Sequence, residues 1–109
     1  MSQINHASKR LHHVVMWTLK EEAQGQSKAQ NMQKAREVLM GCSSLVPVIE
    51  LFEVGLKSED LDCTCDVILN SVFKDEAALS AYQNHPDHMA IKPFMKAIVA
   101  QRQCMDFWN

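Results

Sequence analysis

Tyr82-Gln83-Asn84-His85-Pro86-Asp87-His88 brings the only tyrosine and two of the five histidines together around a proline. A phenol can donate a proton or hold an enolate oxygen, and a neutral imidazole can accept a proton near pH 7. The segment is therefore a candidate for proton-transfer chemistry. The same groups also serve as structural pegs: His85 as a helix cap, Tyr82 as a packed ring with its hydroxyl satisfied. His85, Asp87 and His88 are metal-ligand types, but a proline corner splays them, so no metal site is expected there.

The cysteines Cys42, Cys63, Cys65 and Cys104 match no common zinc spacing. Cys63 and Cys65 are too close for a Cys-x-x-Cys redox motif, and on a strand they would share one face. All four are read as reduced thiols behaving as small hydrophobes. The sequence carries no cofactor fingerprint, and none is expected.

The elements that must position these groups follow from hydrophobic spacing. Leu11 to Leu19 reads as a strand with His13, Val15, Trp17 and Leu19 on one face and His12, Val14, Met16 and Thr18 on the other. Lys20 to Gln26 is a loop. Ser27 and Gln30 form a capping box before a helix bearing Ala29, Met32, Ala35, Val38 and Leu39, with Gly41 as its stop. Val48 to Leu56 and Cys63 to Phe73 are strands joined by a charged turn. In the first of them, Ile49 and Leu51 share one parity and Phe52, Val54 and Leu56 the other. Asp75 to Asn84 is a second helix, ended by Pro86, which starts a third running toward Ala100. Pro93 is expected to kink or divide that helix. Gln101 to Trp108 is the last strand.

Strand, helix, strand, strand, helix, strand is the α+β, ferredoxin-like βαββαβ order, with a four-stranded antiparallel sheet and helices on one face. Residues 11–109 form one domain, and residues 1–10, with His6, read as a flexible lead without a secretory h-region. The strands are apolar on both parities, so the uncovered face would leave a large apolar patch. A second copy packed sheet to sheet, as a dimeric α/β barrel, is the expected remedy. His12 falls on that face.

The charge balance speaks to partners. A net charge of −2 with scattered basic residues gives no footing for nucleic acid or an anionic membrane. Neither is expected as a partner, no run is long and apolar enough to span a bilayer, and a cytoplasmic location is expected.

Several of these residues resemble the stress-responsive dimeric α/β-barrel (Dabb) family. They are His13-Val14-Val15-Met16-Trp17-Thr18-Leu19-Lys20-Glu21-Glu22, Glu53-Val54-Gly55-Leu56, Phe73-Lys74-Asp75, the Tyr82 to His88 segment and Asp106-Phe107. The resemblance spans Leu11 to Trp108 and implies a ferredoxin-like homodimer. A plant branch similar to olivetolic acid cyclase closes a linear polyketide by an aldol-type reaction. Its acid–base pair corresponds to Tyr82 and His88, and a pocket histidine to His13. A third pocket histidine corresponds to Val67, and a second pocket tyrosine has no counterpart.

The site expected is thus His88 as base, Tyr82 as acid and His13 as neighbour. Orphan amides and the dipole of the post-proline helix would keep His88 neutral. Val15, Trp17, Val67, Leu69, Met32 and Phe94 are the expected walls of a pocket for an apolar or aromatic small molecule with one polar end. Two other functions fit the same residues: a non-catalytic dimeric binding module, and a cofactor-free monooxygenase-like protein of the wider dimeric α+β barrel group.

Overall fold

A computed structural model describes residues 8–47 and 49–109. Most of the expected lead, His6 included, and Val48 at the expected start of the second strand lie outside the described residues. In chain order the elements are β1 (Leu11–Leu19), β2 (Glu22–Ala23), β3 (Gln26–Ser27), α1 (Lys28–Met40), β4 (Ile49–Leu56), β5 (Val67–Phe73), α2 (Glu76–Gln83), α3 (Pro86–Ile98) and β6 (Val99–Trp108). The main sheet has the order β4-β5-β1-β6 and is antiparallel throughout. This is the expected α+β ferredoxin-like arrangement.

Local sequence explains the helix ends. Ser27 and Gln30 exchange the two bonds of a capping box, which satisfies two amides that would otherwise be orphaned. Asp75 caps α2 by accepting from the Ala78 amide. His85 caps α3: its Nδ1 accepts the Asp87 amide at 3.1 Å, with Pro86 at the first helical position. Helix α3 runs undivided through Pro93. Pro93 and Met89 are both exposed, so water can reach the Met89 carbonyl that loses its i+4 partner.

Four details differ from the sequence reading. The third strand starts at Val67, and Cys63 and Cys65 lie in the connection before it. Asp66 closes that connection: its amide donates to the Trp17 carbonyl and its buried carboxylate accepts from the Leu19 amide at 2.8 Å. Residues 20–26 are no simple loop, because β2 and β3 pair around Gln24 and Gly25, both at positive φ, 55° and 72°. That is the signature of a primed hairpin turn. A register shift between Ile49 and Leu51 breaks their shared parity, so Ile49 joins the core while Leu51 stays exposed. In α1, Ala29 is exposed and Asn31 is buried, its amide donating to the Ala23 carbonyl at 3.0 Å.

All three helices pack on one face of the sheet. Val15, Trp17, Leu19, Val67 and Leu69 meet Ala35, Leu39, Met95 and Ile98 in one cluster. Leu11 and Phe73 meet Cys42, Ala78, Leu79 and Tyr82 in another. Each fully buried large side chain contributes about 1.5–3 kcal/mol relative to exposure. The helices stop short of the β6 edge. Arg102, Cys104 and Asp106 lie opposite Trp17, Val15 and His13, on the helix side, yet all three are exposed.

Candidate functional site

A cavity of about 1040 Å³ opens where α3 leaves β6 uncovered. Its floor is His13, Val15 and Trp17 of β1 with Leu69 of β5; Tyr82 and Gln83 close one end, and α3 supplies a wall that includes His88. Strand parity puts the β1 residues there, and the Pro86 corner turns α3 so that its first turn faces them. Five expected residues therefore share this space with His88: His13, Val15, Trp17, Leu69 and Tyr82. The other three expected wall residues do not line it. Val67 is sealed in the core beneath, and Met32 and Phe94 pack against that core. Among the described residues, Leu39 is the one contribution of α1 to the cavity.

Tyr82 is fully buried, packed against Phe52, Phe73 and His88, with ring centroids 5.8, 5.2 and 4.6 Å away. Among the described residues its hydroxyl has no hydrogen-bond partner. Burial pushes the phenol far above its usual range, and Cys42 adds to this. Tyr82 is thus held in its protonated, donor form.

His88 is half-buried, and its Nδ1–H donates to the Gln83 carbonyl at 3.0 Å. A carbonyl only accepts, so Nδ1 carries the proton and Nε2 holds the free lone pair. Burial is the largest cause that lowers its pKa; Lys92 and His13 push the same way, and the Gln83 bond opposes them. Burial thus favours the neutral ring, the form that can accept a proton.

His13 is buried, and its Nδ1–H donates to Asp106 Oδ1 at 2.6 Å across the β1–β6 pair. The Ser71 hydroxyl donates to its main-chain carbonyl at 2.7 Å. The carboxylate fixes the ring's tautomer and orientation. Asp106 gained no role from the sequence. The signal that finds it is register: with β1 and β6 antiparallel, one residue of β6 must stand opposite His13. Lys92, Lys96 and Arg102 also line the cavity, and nothing in their sequence spacing marks them.

His85 is spent on the α3 cap, and His85, Asp87 and His88 do not converge. Among the described residues, one set of metal-ligand side chains does converge: His13, Cys104 and Asp106, with ligand atoms within 4.8 Å of one another. The four cysteines are unpaired.

Fold and site together define a ferredoxin-like α+β domain with one bare sheet face and an open cavity holding a phenol and two imidazoles. Residues 11–109 match the stress responsive A/B barrel domain model, and the chain belongs to that family. No curated protein matches it. Solved structures give the same fold. A dimeric ferredoxin-like protein of unknown function from Bacteroides fragilis is 24% identical, covers 92% of this chain and 96% of its own, and has a TM-score of 0.77. A dimeric ferredoxin-like protein of unknown function from Thermobifida fusca is 16% identical, covers 100% and 99%, and has a TM-score of 0.79. A Dabb family protein from Mesorhizobium loti is 23% identical, covers 91% and 95%, and has a TM-score of 0.65.

Proposed function

We propose that the protein is a homodimer whose cavity binds a small apolar or aromatic carbonyl compound and moves a proton on it. One observation carries this reading. A protonated, buried phenol, without a hydrogen-bond partner among the described residues, lies beside a neutral imidazole whose Nε2 carries the lone pair, and both residues line one largely apolar-floored cavity. In the proposed step, His88 Nε2 takes a proton from the carbon next to the carbonyl. The Tyr82 hydroxyl donates a hydrogen bond to the enolate oxygen that forms. The His13–Asp106 pair holds the polar end of the compound. Return of the proton from His88 to carbon or to the product restores the site.

His88→Ala should abolish turnover of a compound found to be a substrate while leaving the fold and assembly intact. Retained turnover would remove His88 from the chemistry. A second reading is favoured by one fact: the Tyr82 hydroxyl is sealed from solvent among Phe52 and Phe73. In that reading Tyr82 is a packing residue and the domain binds a ligand without converting it. Tyr82→Phe separates the two, because a packing residue gives unchanged ligand affinity and an enolate-stabilising donor gives lost turnover.

The homodimer is proposed through the bare face of the sheet. Val14, Met16, Ile68, Val72, Leu51 and Met105 lie on that face, with Met16, Leu51 and Met105 exposed at 36%, 39% and 66%. A patch of this kind is unusual on a monomer, and the B. fragilis and T. fusca structures are described as dimeric. Light scattering at low micromolar concentration should give twice the chain mass; a monomer mass refutes the interface. Among the described residues no helix is long and apolar enough to cross a membrane. Unpaired thiols suit a reducing compartment, which supports a cytoplasmic placement; recovery of the chain from the medium would overturn it.

A further inference from the structure

The His13, Cys104 and Asp106 cluster is used only in part by the proton chemistry above, and Cys104 not at all. We propose that these three side chains form a divalent transition-metal site of the zinc class at the β6 edge, one ion per protomer. The three come from facing positions of β1 and β6: Asp106 pairs with His13, and Cys104 with the adjacent Val15. The i, i+2 spacing of Cys104 and Asp106 puts both side chains on the face that carries the His13 ring.

The atoms already meet. Asp106 Oδ1 is 2.6 Å from His13 Nδ1 and 3.7 Å from Cys104 Sγ, and all three ligand atoms lie within 4.8 Å of one another. Ligands at zinc-like bond lengths of about 2.0–2.3 Å stand roughly 3–4 Å apart around a tetrahedron. The Asp106–Cys104 edge has that span. The His13–Asp106 edge must open, and the exposed Asp106 carboxylate can swing to allow it.

Imidazole, thiolate and carboxylate in one set suit zinc rather than magnesium or calcium, which prefer oxygen ligands. A three-residue set leaves a fourth position for water. Binding balances simply. The Cys104 thiol releases its proton to solvent, and the His13 ring proton moves from Nδ1 to Nε2. Thiolate and carboxylate then neutralise the dication. Exposure of Cys104 and Asp106 gives the ion an entry path without unfolding.

The test is titration of the metal-free full-length protein with Co²⁺, followed by competition with Zn²⁺. A thiolate-to-cobalt charge-transfer band should saturate at one ion per chain and vanish on adding zinc. Cys104→Ser should abolish the band, whereas the Cys63→Ser/Cys65→Ser double variant should keep it. Asp106→Asn, an exposed and conservative change, should weaken zinc binding by more than the roughly tenfold that even an outer-shell loss costs. Absence of the band, or a band that survives Cys104→Ser with the fold intact by circular dichroism, overturns the site.

Discussion

The two faces of the sheet are both apolar, yet they are finished differently. On the helix side, alternate residues of β1 and β5 are buried: Leu11, His13, Val15, Trp17 and Leu19, then Val67, Leu69, Ser71 and Phe73. On the other side the intervening residues of the same strands are partly open, and Met16 is exposed. Strand alternation gives each face its residues, but only a covering layer turns apolar residues into a core. The helix side has that layer within one chain, except along β6, where its absence makes the cavity. Among the described residues the other side has no such layer, and the proposed dimer would supply it. What separates cavity, core and proposed interface here is therefore which helix reaches which strand.

Breaking the covered face should have the largest effect. Phe73→Ala removes a fully buried ring between Tyr82 and the sheet and should cost about 3–5 kcal/mol in urea unfolding. A loss under 1 kcal/mol would mean that this cluster is not packed as described. On the bare face, Met16→Lys with Val72→Lys should convert a dimer to monomers by light scattering and leave the secondary structure unchanged. A dimer that survives both charges must use another surface.

The remaining predictions sharpen the cavity end of the comparison. His88 has a folded-state pKa below its usual 6.5, so the unfolded chain binds more protons in the window between the two values. Stability from keeping His88 neutral is then full above about pH 6.5 and is lost as pH falls through the folded value. The urea midpoint should fall more steeply toward about pH 5 in the wild-type protein than in His88→Gln; parallel curves would mean His88 is not desolvated. Tyr82→Phe should leave stability unchanged or raise it by about 1 kcal/mol, since it removes a buried hydroxyl that has no partner among the described residues. A loss above about 2 kcal/mol would reveal a bond that the hydroxyl makes.

Much of the fold was legible because its signals are local. The Ser27–Gln30 box, Asp75 before α2 and Pro86 at the start of α3 each announce a helix within four residues. Tertiary bonding decided where the third strand starts, because Asp66 is held by Trp17 and Leu19, far away in sequence. Bulging at Ile49 escaped for a similar reason: a register shift is a property of two strands. The cavity was legible at His13, Tyr82 and His88, because a phenol and imidazoles are the side chains suited to proton exchange. Val67, Met32 and Phe94 share the hydrophobic pattern of true lining residues, and periodicity cannot tell a core wall from a cavity wall.

The sequence by itself determined the element order, the two faces of β1 and the phenol–imidazole corner, because alternation, capping and proline geometry act over a few residues. Only the tertiary structure decided that Asp106 and Cys104 stand beside His13, that the Tyr82 hydroxyl has no hydrogen-bond partner among the described residues, and that the cavity opens along β6. Those facts depend on strand register and on how far a helix reaches. Both are set when distant segments pack to bury apolar surface and satisfy buried polar groups.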